Sequence, residues 1–318
     1  MKSIMLYVLL SVSLMLSGCS SDSDPAPAPT AAVTESNTNS APAFPRTITD
    51  AKGEQIIPIA PQKIALTAWG FIDMLLTLEP QQLATTGYSY YSKLDAFKAS
   101  FASESFVDLG SDTQINMEKL LEYKPDIILA GGTDNDAVYS QLTKIAPVVF
   151  IDAAKGYEDW KWALTEYAKA LGLEDKAKQV IEDHEAKLHS AKNKLEKYKD
   201  QNVIFLDPSE GEFYLWGTDR LSTYYDVLGL KMVDTELAAS GGQITLEGLL
   251  ELNPDHIFLH NRPTAPAAEA LEALSKSKVW NMLDAVKNGH VYTLESSAFS
   301  PGPTGVGYGV DHILEALN

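Results

Sequence analysis

Ile115-Asn116-Met117-Glu118-Lys119-Leu120-Leu121-Glu122-Tyr123-Lys124-Pro125-Asp126-Ile127-Ile128-Leu129 aligns without a gap to Ile244-Thr245-Leu246-Glu247-Gly248-Leu249-Leu250-Glu251-Leu252-Asn253-Pro254-Asp255-His256-Ile257-Phe258, and eight of the fifteen pairs are identical. Each copy opens on a residue suited to cap a helix, Asn116 or Thr245, whose side-chain oxygen can accept from a free backbone N–H. A two-turn helical pattern follows. Pro125 or Pro254 stops it, because proline has no N–H to donate and clashes with the preceding turn. The apolar run beyond reads as a strand. One helix–strand unit therefore occurs twice, 129 residues apart, which implies two equivalent lobes.

Outward from the first copy, β-rich runs alternate with helical patterns: 64–68 then 71–78, 126–130 then 137–145, and 148–151. Around the second copy lie the runs 203–206, 213–216, 256–259 and 291–294. Such alternation predicts an α/β layer with mainly parallel strands. Between the two series, Ala177, Val180, Ile181, His184, Leu188, Ala191, Leu195 and Tyr198 recur at the 3-4 spacing of one helical face within 174–199. At 1.5 Å per residue that helix is about 39 Å long, enough to cross both lobes. The expected fold is α/β, two Rossmann-like lobes joined by a single long α-helix. The expected divisions are an N-terminal lobe 46–172, a connecting helix 173–199 and a C-terminal lobe 200–318.

The 318 residues suffice for two domains, and 45% hydrophobic with 21% charged residues is the composition of a folded chain. The balance of 25 basic and 43 acidic residues gives a formal charge of −18, which repels phosphate backbones and argues against nucleic acid as a partner. The one cysteine, Cys19, can close no intramolecular disulfide and excludes Cys-built zinc, haem and iron–sulfur sites. Lys2 precedes an apolar run of thirteen residues, Ile4 to Leu16, where a membrane-spanning helix needs about 20, so 1–18 reads as a signal peptide. Leu16-Ser17-Gly18-Cys19 resembles a bacterial lipobox, in which the cysteine is acylated and becomes the first mature residue. Ser20 to Pro45 is Ser, Asp, Ala, Pro, Thr and Asn with no aromatic before Phe44. Such a segment cannot bury enough to offset its ordering entropy. Residues 19–45 are thus a lipid-anchored flexible tether, with a reach of about 25–30 Å.

Lipobox, tether, two lobes on one long helix, and the paired E-x-L-L-x-x-x-P-D-x-I units together resemble the substrate-binding lipoproteins of ABC importers for ferric siderophores, haem and cobalamin. The resemblance runs from Pro45 to Asn318. It includes Ile145-Ala146-Pro147-Val148-Val149, Asp226-Val227-Leu228-Gly229-Leu230, and the segment from Val279-Trp280-Asn281-Met282-Leu283 to Gly289-His290-Val291-Tyr292. It implies the helical-backbone periplasmic binding protein fold, a ligand cleft between the lobes, and a monomer partnered by an ABC permease and its ATPase. It also places the protein in the cell envelope, lipid-anchored and facing the periplasm or the outer face of the cytoplasmic membrane. Taken alone, Glu118 and Glu247 are first-turn carboxylates complementing a helix dipole. The resemblance implies that they dock on arginine pockets of the permease dimer.

In doubly wound sheets, ligands bind beyond the C-terminal strand ends. The loops there carry Trp69, Tyr88, Tyr90, Tyr91, Gly131, Gly132 and Thr133 in the first lobe, and Trp216, Arg220, His260, Arg262 and Phe299 in the second. Only Arg46, Arg220 and Arg262 are arginines, and two of the three fall in this expected cleft. A guanidinium fork suits carboxylate or catecholate oxygens, and aromatic faces cover a bulky chelate. Arg220 and Arg262 match positions where relatives with anionic ferric siderophores carry ligand-binding arginines. Gly131-Gly132-Thr133 stands where catecholate binders tend to have a base, so the resemblance favours a hydroxamate, citrate-type or mixed carboxylate siderophore, with its iron held by the chelate and no cofactor. Haem, with His260 and Tyr88 to Tyr91 as candidate ligands, and cobalamin are the alternatives. Six histidines with no closely spaced pair at metal-ligand positions argue against a bare transition metal. A chelatase-like enzyme would share the fold. However, no G-x-S-x-G, Walker loop or H-E-x-x-H is present. Gly305, Gly307 and Gly309 read as turn and packing glycines ahead of a C-terminal helix from Val310.

Overall fold

The computed structural model describes residues 44–102, 105–111, 113–209 and 212–317. The signal peptide, Cys19 and the tether up to residue 43 lie outside the described residues. Among those described, no helix is long and apolar enough to cross a membrane.

A strand apolar on both faces needs cover on both. Ile127–Gly131 and Val148–Ile151 are such strands, and every residue of each is buried. In chain order the first lobe has a hairpin of β1 (Arg46–Asp50) and β2 (Gly53–Ile57), then β3 (Lys63–Leu66), β4 (Gln82–Thr85), β5 (Phe106–Asp108), β6 (Ile127–Gly131) and β7 (Val148–Ile151). The last five form one parallel sheet ordered β5-β4-β3-β6-β7. Its helices are α1 (Ile72–Thr77), α2 (Tyr88–Tyr91), α3 (Met117–Tyr123), α4 (Thr133–Leu142), α5 (Ala153–Glu158) and α6 (Trp160–Leu171). After α7 (Glu174–Leu195), the second sheet holds β8 (Val203–Ser209), β9 (Glu212–Leu215), β10 (Gly242–Thr245), β11 (His256–Asn261) and β12 (Val291–Glu295), ordered β10-β9-β8-β11-β12. There β8, β11 and β12 are parallel, while β9 runs antiparallel to both its neighbours. Around it lie α8 (Leu246–Leu252), α9 (Ala267–Leu274), α10 (Asp284–Lys287) and the closing helix α11 (Pro303–Leu317).

The repeat folds alike in both lobes. Asn116 Oδ1 accepts from Lys119 N at 2.9 Å, and Thr245 Oγ1 from Gly248 N at 3.1 Å. α3 and α8 both end on a left-handed residue, Lys124 (φ 53°) and Asn253 (φ 38°). Asp126 Oδ2 then accepts from Gln62 N and Lys63 N at the start of β3, as Asp255 Oδ2 accepts from Asn202 N just before β8. The Pro-Asp pair thus aligns the beginning of one strand with that of its neighbour.

α7 is shorter than the pattern predicts. It ends at Leu195 in a 3-10 turn, Glu196–Tyr198, giving about 33 Å. Ala177, Val180 and Ile181 pack into the core of the N-terminal lobe, and Leu188, Ala191 and Leu195 into that of the C-terminal lobe. His184 sits at the changeover, edge-on to Trp160 at 5.1 Å, and burial lowers its pKa to about 4. α11 begins at Pro303 rather than Val310, so the three glycines are helical. A Cβ on Gly309 would stand 1.9 Å from the Tyr224 hydroxyl. Close helix packing outweighs the poor helix propensity of glycine here.

Candidate functional site

A cavity of about 400 Å³ lies between the lobes, lined by Tyr157, Trp160 and Lys161 on one side and Arg220, Tyr224, Phe299 and Ser300 on the other. Tyr157 also lines a smaller cavity, about 170 Å³, with Trp69, Gly131, Gly132 and Thr133 at the C-terminal ends of β3 and β6. The two spaces meet at this tyrosine, whose ring stacks on Phe71 at 4.8 Å. A larger cavity, about 690 Å³, opens between β9 and α9 on the flank of the C-terminal lobe. Only one lobe lines it. Of these three spaces, the first is the one lined by both lobes.

The first-lobe aromatics divide. Trp69 meets Tyr90 and Tyr91 edge-on at 6.2 and 5.9 Å, but Tyr90 is 42% exposed and Tyr91 only 4%. Burial, with the Asp73 carboxylate nearby, pushes the Tyr91 phenol well up. Tyr91 therefore supports the wall from behind while Tyr90 faces outward. Tyr88 is half-buried with its ring against Phe101 at 5.3 Å.

In the second lobe Phe299 rests on His260 at 4.1 Å and Trp216 at 5.1 Å. His260 is 6% exposed. Its Nε2 lies 2.9 Å from Ser296 Oγ and its Nδ1 3.4 Å from Asp207 Oδ2. Burial lowers its pKa, with Asp207 pulling the other way. Thus His260 backs Phe299, engaged by Ser296 through Nε2, while the buried Nδ1 makes no hydrogen bond among the described residues. Arg262 pairs with the same Asp207 at 3.2 Å and lines the flank cavity rather than the one between the lobes. Arg220 does line the inter-lobe cavity and is exposed, and among the described residues no carboxylate pairs with it. Arg46 stands apart, tied to Glu174 at 2.7 Å.

Reading only the loops already known to follow strands missed Tyr157, Trp160, Lys161 and Asp207. The strand 148–151 was legible, and the segment after it carries the first three. Asp207 directly follows the run 203–206. Glu118 and Glu247 lie exposed in the first turns of α3 and α8, without an ion pair among the described residues. Among the described residues no three His, Cys, Asp or Glu side chains converge to hold a metal ion.

Comparisons with known proteins agree with this architecture. The chain is 32% identical over 201 residues to the iron-uptake system-binding protein of Bacillus subtilis, covering 61% of this chain and 63% of that one. It is 25% identical to the Fe(3+)-citrate-binding protein of the same organism, over 92% of this chain and 89% of that protein. The crystal structure of the triscatecholate siderophore binding protein FeuA from Bacillus subtilis, complexed with ferri-bacillibactin, superposes with a TM-score of 0.67 at 27% identity, covering 86% and 98% of the two chains. A family model described as periplasmic binding protein matches residues 64–298. That match spans both sheets and the helix between them, and the chain belongs to the periplasmic binding protein family.

Proposed function

We propose that this chain captures a ferric siderophore in the inter-lobe cavity and hands it to an ABC permease, acting as a binding protein and not as an enzyme. One observation carries the reading: a cavity walled by aromatic rings from both lobes, with the unpaired Arg220 guanidinium at its edge. Aromatic walls exclude water from a bulky chelate, and a guanidinium orients its oxygens. Relatives named for iron uptake and Fe(3+)-citrate support it. The lining sets Glu158, Asp159 and Asp219 against Lys161 and Arg220, and Lys161 is already paired with Glu185. Without a cationic excess, the cavity suits a chelate of low net charge, such as a hydroxamate complex, better than a highly anionic tri-catecholate. His260 is buried behind Phe299, with Nε2 on Ser296, which disfavours axial ligation of haem. Cys19 anchors the protein by its lipid in the cell envelope, facing the periplasm or the outer face of the cytoplasmic membrane, and Glu118 and Glu247 meet the permease.

The test is a tryptophan-fluorescence titration against ferric hydroxamates, ferric citrate, ferric catecholates, haem and cobalamin. Trp160 lines the cavity and is the expected reporter. Quenching by an iron chelate with Kd below about 10 μM, lost in Trp160→Phe, supports the reading. Tighter binding of haem or cobalamin than of any iron chelate overturns it.

A further inference from the structure

α1 of the N-terminal lobe carries Asp73, whose side chain is completely buried. A carboxylate taken out of water needs partners, and among the described residues no Lys, Arg or His pairs with this one. Among the described residues, its hydrogen-bond donors come from the other lobe. Ser300 Oγ donates to Oδ2 at 3.1 Å, Thr304 N to Oδ1 at 3.0 Å, and Gly305 N to Oδ2 at 2.9 Å. The last two are free N–H groups in the first turn of α11, where a negative charge is favoured. A Cβ on Gly302 would come within 2.5 Å of Asp73 Cγ, so the backbone there closes directly over the carboxyl. Burial raises the pKa of the group, and the donors of Gly305, Thr304 and Ser300 pull it back.

A second seam lies nearby. Asp95 N donates to Glu295 Oε2 at 3.4 Å, and Ala96 N to Ser297 Oγ at 3.0 Å. The segment that ends β12 and enters α11 is therefore held by the N-terminal lobe at two places. That same segment contributes Phe299 and Ser300 to the inter-lobe cavity. On the N-terminal side, Asp73 lies two residues from Phe71, on which the cavity residue Tyr157 stacks.

We propose that Asp73 is a positioning residue that sets the width of the inter-lobe cleft by pinning the start of α11 to the N-terminal lobe. α7 joins the lobes on the chain, but one helix leaves a bending freedom that a buried, directional polar pin removes. The consequence for capture rests on reading that cavity as the ligand site. The pin itself is tested without ligand, so the two stand or fall apart.

The experiment measures the inter-lobe distance distribution by pulsed electron paramagnetic resonance. Spin labels go on Glu122→Cys and Glu251→Cys, equivalent exposed positions of the repeat, with Cys19→Ser so that no other thiol reacts. A control pair, Gln81→Cys with Glu122→Cys, stays inside the N-terminal lobe. Asp73→Ala and Gly302→Ala should broaden or shift the inter-lobe distribution while leaving the control pair unchanged, a split that general destabilisation would not give. Should Asp73→Ala fail to fold, Ser300→Ala, which removes one hydroxyl, should give a smaller broadening in the same direction. An inter-lobe distribution identical to the parent in the folded variants overturns the proposal.

Discussion

The two lobes agree where they face outward and differ where they face each other. The repeated helix–strand unit builds α3 with β6 and α8 with β11, with the same caps, the same left-handed stop and the same Pro-Asp tie. Away from that unit they diverge. The N-terminal sheet is wholly parallel, whereas the C-terminal one replaces a helical crossover with the β8–β9 hairpin. The Asp207, His260, Ser296 and Phe299 cluster has no counterpart in the first lobe, where Trp69 and Tyr157 serve the cleft instead. A two-fold partner would require matched surfaces, and an asymmetric chelate unmatched ones. On the function proposed above, the difference separates a docking surface from a binding one.

The largest expected effect falls on the matched part. Replacing Glu118 and Glu247 together with Ala should abolish uptake through the cognate permease in vesicles, while ligand affinity stays within a few-fold. The single variants should lose activity to similar extents if the lobes dock as equivalents. Normal uptake by the double variant would break the comparison.

Next come Leu120 and Leu249, both fully buried at matching positions. Either one to Ala should cost about 2–5 kcal/mol by denaturant unfolding, through lost burial and the cavity left behind. Their neighbours sharpen the comparison. Leu121 is 60% exposed while Leu250 is partly buried against its core, so Leu250→Ala should cost more than Leu121→Ala.

On the unmatched part, Arg220→Gln should weaken chelate binding roughly tenfold to a hundredfold, as for the loss of a charged hydrogen bond of about 1.5–3 kcal/mol. Arg262→Gln should do less, because Asp207 already neutralises that guanidinium. Equal losses measured by titration calorimetry would place both arginines on the ligand.

The last effect concerns acid. All six histidines lie in α7 or the C-terminal lobe. Burial, reinforced by neighbouring Lys161 for His184 and by His290 for His256, lowers both pKa values to about 4. In the unfolded chain each takes its proton near the ordinary value of about 6.5. Their contribution to stability is thus present above that pH and is lost as pH falls from about 6.5 towards 4. Hydrogen exchange followed through that range should show protection falling in β8, β11 and β12 before β3, β6 and β7. The opposite order would contradict this reading.

Much of this fold was legible because its inner strands are continuous apolar runs. Positions 126–130, 148–151, 203–206 and 256–259 need cover on both faces and announce it. The β1–β2 hairpin, β4, β5 and β10 carry no such run: each strand holds five residues or fewer, and pairing with neighbours decides their structure, β4 inside its sheet and β5 and β10 at sheet edges. The start of α11 was hidden by Gly305, Gly307 and Gly309, which local propensity reads as a turn. Packing against Tyr224 and Ser300 makes them helical. The candidate site was legible in part. Arg220 and Phe299 follow strands, and the structure brings both to one cavity. Arg262 follows a strand too, but the partner that holds it, Asp207, is 55 positions earlier in the chain. Tyr157 owes its place to α5, which stacks its ring on Phe71, a contact that no local pattern encodes.

Capture between the lobes is tested by hydrogen exchange on the protein saturated with the tightest-binding ferric chelate. New protection should appear together at 157–161, 220–224 and 299–300, on both walls of one cleft. Protection confined to 264–277 and the start of β9, around the flank cavity, would contradict it.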